Sequence, residues 1–179
     1  MRNITYRVVE QFPEPAFSAL VDEAFSDYEE SELLSEVSRE EASARSETQA
    51  SVAQGGIRIG AFRGEQLIGW TLASPDGASL LHMVNSGVAR SERRKGVYSE
   101  LARLVIEQAK SKGYSFIVSR HATNNNAVIV AKLKLGFFVS GFEYSEVYGP
   151  LVRLTFLLGE KRRALYKARA TPIRRAKQQ

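Results

Sequence analysis

Val88-Ala89-Arg90-Ser91-Glu92-Arg93-Arg94-Lys95-Gly96-Val97-Tyr98-Ser99 joins two apolar segments of different period through a basic, glycine-bearing loop. Before it, Leu80 to Val88 is a continuous run of strand character. After it, Val97, Leu101, Leu104, Val105 and the Gln108/Ala109 pair recur at helical spacing, and Gly113 is placed to cap that helix. A loop of this kind between strand and helix is an anion site. The first amides of a helix have no intrahelical acceptor, so they point outward, and the helix dipole adds positive potential there. Gly96 lets the backbone approach a phosphate closely, while Arg93, Arg94 and Lys95 supply charge.

Working outward, Ile4 to Val9 is predicted as a first strand, interrupted by Pro13 and Pro15. From Ala16 a helical stripe follows in Phe17, Leu20, Val21, Ala24 and Phe25. Residues 26–54 are rich in Glu, Ser and Ala, with Leu33, Leu34 and Val37 as apolar anchors, and predict a helix of undefined ends. Ile57, Ile59 and Ala61 then alternate as a strand, Arg63 to Gln66 turns, and Leu67 to Ala73 returns as its hairpin partner. Ser74-Pro75-Asp76-Gly77 is a second turn. Beyond the central helix, Ser115 to Ser119 is a strand and Asn124 to Leu135 a helix. Phe137 to Val147 and Leu151 to Leu158 close the domain as strands separated by Gly149-Pro150. The expected class is mixed α/β, with helices on both faces of one sheet.

The 179 residues are 44% hydrophobic and 25% charged, enough for one domain with a sizeable core. Without cysteine there is neither a thiol nucleophile nor a thiolate metal site, and two histidines, His82 and His121, do not make a zinc motif. No metal is expected. The N-terminus lacks a secretory pattern and no apolar stretch nears the length of a bilayer span, so a cytoplasmic protein away from membranes is expected. The net charge of +5 is uneven. Residues 160–179 hold eight Lys and Arg against Glu160 alone, while the other 159 residues carry 17 basic and 19 acidic groups. Basicity therefore belongs to a C-terminal tail.

The central stretch resembles the acetyl-CoA-binding motif of the GNAT superfamily of N-acetyltransferases. In that motif Arg or Gln, two residues, Gly, one residue and Gly or Ala follow a strand-ending Val. Val88, Arg93 and Gly96 match, and Tyr98 departs from the last small position. Asn125 through Lys134-Leu135-Gly136-Phe137 resembles the family's second conserved segment. The resemblance implies a single-domain GNAT-like fold over residues 1–159, about seven strands in a twisted mixed sheet with about four helices. It also implies acetyl transfer from acetyl-CoA to an amine of a small molecule or protein, by direct attack on the thioester. The backbone at Val88 would pair with the pantetheine arm. Arg93 and the amides of Arg94, Lys95, Gly96, Val97, Tyr98 and Ser99 would hold the pyrophosphate, and Asn125 would contact the pantetheine or position the thioester.

For proton transfer, the family often has a Tyr four residues before the glycine of its Gly-Phe pair, and here that place is Lys132. Tyr98 and Lys132 are the candidate acids; a packed ring and a solvated lysine are their ordinary alternatives. His121, following the strand at Ser115 to Ser119, is the candidate base, with an unperturbed pKa of roughly 6.5. His82 and Asn85 precede the cofactor motif, and strand alternation turns at most one of them into the groove. Trp70 and the Phe142, Tyr144 and Tyr148 group are either an acceptor wall or sheet packing. A catalytically silent acyl-CoA-binding sensor is the alternative to an enzyme. Nucleic-acid contact through residues 160–179 is a subordinate expectation. The acceptor, and the oligomeric state with a homodimer among the options, stay open.

Overall fold

The computed structural model describes residues 3–26 and 55–170. Within them, seven strands form one sheet: β1 (Ile4–Val8), β2 (Ile57–Arg63), β3 (Gln66–Asp76), β4 (Leu80–Val88), β5 (Phe116–Ala122), β6 (Phe138–Ser145) and β7 (Gly149–Leu157). The helices are α1 (Ala16–Phe25), α2 (Val97–Ser111), α3 (Asn126–Lys134) and α4 (Glu160–Ala170). The strand order is β1-β2-β3-β4-β5-β7-β6, and only β4 and β5 run parallel. That parallel pair is the one joined by a helical crossover, through α2, as a parallel connection requires. The mixed α/β class, the seven strands and the flanking helices all agree with the sequence expectation.

The two faces are covered differently. On one, α2 buries Val97, Leu101, Ala102, Val105 and Ala109 against Ile57, Ile59, Ile68, Leu81, Met83 and Ile117. Each Val or Leu fully buried here contributes about 1.5–3 kcal/mol. On the other, α1 packs Leu20 over Phe62, Leu67 and Trp70, with Phe17 edge-on to the indole. Trp70 is wholly buried and its ring lies across Gly87, where a Cβ would stand 2.2 Å from the indole. Trp70 is thus a core residue, and its Nε1 donates to Asn85 Oδ1 at 2.9 Å.

The decisive irregularity is in β4. Met83 pairs with Ala73 and Asn85 with Leu72, which leaves Val84 as an extra residue on β4. Such a bulge bends and twists its strand. The β4–β5 pairing ends at the same place, with Met83 against Ser119, while β5 stays paired to β7 through Ala122. From Val84 to Val88, β4 is bound only to β3, and the sheet opens into a fork.

Several boundaries differ from expectation. Ser74 to Asp76 belong to β3, because Pro75 and Asp76 pair with Leu81 and Leu80, so the turn begins at Gly77. Pairing with β7 carries β5 on to Ala122. Gly149 and Pro150 begin β7 rather than separating strands. Residues 160–170, expected as the start of the tail, form α4, whose Tyr166 stacks on Phe138 at 3.8 Å and whose Arg162 covers Phe116. The helix expected in 26–54 lies outside the described residues from 27 onward, as do residues 171–179.

Candidate active site

The loop from β4 to α2 is built to leave amides free. A 3-10 turn spans Arg90–Glu92, Arg93 is extended, and Arg94 and Gly96 both take positive φ, 64° and 83°. Two left-handed residues in close succession turn consecutive N–H groups to one side. The amides of Arg94, Lys95, Gly96, Val97, Tyr98 and Ser99 hydrogen-bond nothing among the described residues. The first amide to do so is Glu100 N, which donates to Gly96 O at 3.0 Å. A Cβ at Gly96 would meet no atom, so glycine serves the backbone conformation and leaves open space above it. These features fit a pyrophosphate.

A carboxylate fixes the loop from below. Glu92 is buried and accepts from Arg63 Nη2 at 2.7 Å and Nε at 3.2 Å, with Lys95 Nζ at 3.4 Å. The Arg63 hydrogen bonds, first among its neighbours, hold its carboxyl below the usual carboxylate value. Arg90 ties the loop to α1: its amide donates to Glu23 Oε1 at 2.6 Å and its guanidinium to Ser26 Oγ at 2.7 Å. Arg93 Nε donates to Val88 O at 3.1 Å, bridging the strand end and the loop. Of the three basic residues, Arg93 and Lys95 therefore brace the loop, and Arg94 is exposed.

At the fork, the α2-facing side carries Met83 and Ser119, with His121 two residues further along β5. Lys132 of α3 comes in over Met83. It is wholly buried, its Nζ is 2.6 Å from Met83 Sδ and 4.2 Å from the centre of the Phe137 ring, and among the described residues no oxygen accepts from it. A thioether and a ring face compensate poorly for lost hydration, so burial lowers its pKa to about 7. His121 Nε2 is 3.0 Å from Ser119 Oγ. Burial first, then the Lys132 charge, lowers His121 to about 4, so its imidazole is neutral at neutral pH rather than titrating near 6.5. Burial pushes the Tyr98 hydroxyl pKa up, which makes it a poor proton donor at neutral pH. Asn125 caps α3, its Oδ1 accepting from Val128 N at 3.4 Å.

The opposite side of the fork carries His82 and Asn85 together. Their partners on β3, Ser74 and Leu72, are two apart and share a face, because the Val84 bulge resets the alternation expected from sequence. Burial, then Arg120, lowers His82 to about 4. Phe142 and Tyr144 on the outer strand β6 are exposed.

A strand-loop-helix with free amides beside an open fork is the geometry on which comparison with known proteins bears. The family model described as "Acetyltransferase (GNAT) family" matches residues 17–137. The chain belongs to this family. Among solved structures, the ribosomal-protein-S18-alanine N-acetyltransferase of Escherichia coli is similar with a TM-score of 0.68 and 14% identity, over 88% of this chain and 97% of that one. A Bacillus subtilis acetyltransferase in complex with CoA gives 0.64 and 16%, over 87% and 99%. A GNAT family acetyltransferase from Elizabethkingia anophelis with acetyl-CoA bound gives 0.61 and 18%, over 88% and 99%. At these identities the likeness is one of fold. No curated protein matches the sequence. Among the described residues of this GNAT chain, no helix is long and apolar enough to cross a membrane.

Sequence reasoning put the loop residues between β4 and α2 but missed what holds them, Glu92 and Arg63, which are 29 positions apart. It also treated Lys132 as a surface lysine in its ordinary alternative. The available signal was its spacing: Lys132 follows Ile129 by three, on the side of α3 that meets the core.

Proposed function

We propose that this GNAT chain transfers the acetyl group of acetyl-CoA to an amine, with acetyl-CoA held by the loop and the chemistry done at the fork. The observation that carries this is the run of six unpartnered amides, Arg94 to Ser99, opening beside the β4 edge that β5 has left. Their N–H groups and the α2 dipole hold the pyrophosphate. The extended pantetheine arm lies along β4 between Val84 and Val88, and Asn125, the cap of α3, contacts it or positions the thioester.

The acceptor nitrogen attacks the thioester carbonyl; the N–C bond forms and the C–S bond breaks. The proton lost by the nitrogen goes to His121, directly or through a water, and the departing thiolate takes one from Lys132. These two transfers assist each other. The Lys132 charge suppresses protonation of His121, so once Lys132 gives up its proton that suppression disappears and His121 becomes the stronger base. With limbs set by free-enzyme values, kcat/KM rises through about 4 and falls through about 7.

A silent acyl-CoA-binding protein is the second reading, favoured by Lys132 standing where the family often has Tyr. Release of free coenzyme A thiol from acetyl-CoA, followed across a panel of primary amines, separates the two. Amine-dependent release supports the enzyme. Binding of acetyl-CoA with no release above the rate with water supports the silent protein.

A further inference from the structure

On the α1-facing side of the fork, four polar side chains form a row across β4, β5, β7 and β6: His82, Arg120, Arg153 and Glu143. Arg120 and Arg153 are directly opposed in the antiparallel β5–β7 register, a like-charge pair that destabilises a sheet unless something compensates. A single carboxylate serves both. Glu143 Oε2 is 2.5 Å from Arg120 Nε, whereas Glu143 Oε1 is 3.8 Å from Arg153 Nη1, too far for a hydrogen bond. Arg120 Nη1 donates to His82 Nε2 at 3.2 Å, which uses the neutral imidazole as an acceptor. Arg120 is thus well bonded and Arg153 is not. Among the described residues the buried Arg153 Nε has no hydrogen-bond partner, and the guanidinium as a whole makes no hydrogen bond. Asp76, the acid on β3 that acts on His82, sits by the β3–β4 turn at the far end of the strand. The row around the two arginines therefore keeps one uncompensated positive charge.

Its position gives that charge a use. Arg120 is the first β5 residue past Ser119, the last one paired to β4, so it stands where the fork opens. Arg153 is one strand further out. With strands about 5 Å apart, the gap where β4 and β5 part lies about 10 Å or less from the β7 backbone that carries Arg153. We propose that this row is the acceptor subsite and that the acceptor is a small amine bearing a carboxylate, which docks on Arg153 while its nitrogen reaches the fork. A monoanionic carboxylate matches the single excess charge and the planar, two-pronged guanidinium. A dianionic phosphate would leave the row net negative. The inference rests on the acetyl-transfer reading for what happens to the nitrogen, but not for the binding of the carboxylate.

The test is titration calorimetry on the full chain with amine pairs that differ only by a carboxylate: leucine against isopentylamine, and 6-aminohexanoate against pentylamine. In at least one pair the carboxylated amine should bind tenfold or more tighter. Arg153→Gln should collapse that ratio at least tenfold, and Arg153→Lys, which keeps the charge and guards against a folding artefact, should retain part of it. Equal affinities within both pairs, or a ratio that Arg153→Gln leaves unchanged, would overturn the proposal. Thiol release with the same four amines separates this from the reading beneath it. Carboxylate-dependent binding without acetyl transfer defeats the acetyltransferase reading and keeps the subsite, whereas transfer indifferent to the carboxylate defeats the subsite alone.

Discussion

The loop at Arg93 to Ser99 and the fork at Met83, Ser119, His121 and Lys132 are neighbours in the fold built by opposite means. The loop is built from its backbone: two positive-φ residues present six amides that have no partner among the described residues. On the proposed reading these would do the binding, while side chains such as Glu92 and Arg63 only brace the loop. The fork is built from side chains of three elements, and the chemistry proposed for it would come from burial. Lys132 is driven toward neutrality by burial without an oxygen partner among the described residues, and His121 by its own burial first and then by the Lys132 charge. A backbone site is tolerant of its side chains and sensitive to conformation. A burial site is the reverse, and it stores instability.

That difference gives the largest expected effect to Lys132→Met. Burial depresses the Lys132 pKa from 10.5 to about 7, so the unfolded chain binds the proton more tightly. Above about pH 10.5 neither state is protonated and the charge penalty vanishes; as pH falls from there to about 7 the fold progressively loses stability, and below 7 the full penalty persists. Methionine, similar in volume and apolar, removes the penalty. Denaturant melts should show Lys132→Met more stable by about 3–5 kcal/mol at pH 6, with the gain shrinking toward pH 10. An unchanged or lower stability at pH 6 would mean that the amine has partners at the fork which compensate its charge.

The same variant should lose turnover by about 100-fold or more and lose the limb near pH 7, while its coenzyme A affinity stays within about twofold of the parent. His121→Gln should cost a similar factor yet keep that limb, since its own titration lies at about 4. If the limb instead follows His121, the roles assigned at the fork are reversed. Gly96→Val tests the loop. A β-branched residue at φ 83° is strained although its Cβ meets no atom, so coenzyme A affinity should fall tenfold or more, about 1.4 kcal/mol. Its maximal turnover at saturating acetyl-CoA should fall far less. The smallest effect lies away from both regions: Tyr166→Ala removes the stack on Phe138 and should cost about 1 kcal/mol in the melt.

The contrast also explains what was legible beforehand. The loop is visible in sequence because a backbone conformation requires particular residues in order, here glycine at 96 after a basic run, and the flanking strand and helix periods are strong. The fork is not, because nothing local marks Lys132 as buried; its environment is made by Met83 and Phe137, 49 positions before and five after. The Val84 bulge is equally silent. Asn85-Ser86-Gly87 beside it are turn-type residues, but nothing in them says that the strand continues with one extra residue. That residue puts His82 and Asn85 on one face and coincides with the end of the β4–β5 pairing. Strand ends at Asp76, Ala122 and Gly149 were misplaced for a related reason, since cross-strand pairing outweighed the local preference of Pro75, Asp76 and Pro150 for a turn.

The central claim is that coenzyme A is held through its phosphates by the amides that open α2. Titration calorimetry with coenzyme A and with pantetheine, which lacks the nucleotide and pyrophosphate, tests it most directly. Coenzyme A should bind at least 100-fold more tightly than pantetheine, and Gly96→Val should weaken coenzyme A tenfold or more while leaving pantetheine affinity nearly unchanged. Absence of coenzyme A binding, or equal affinity for the two ligands, would contradict it.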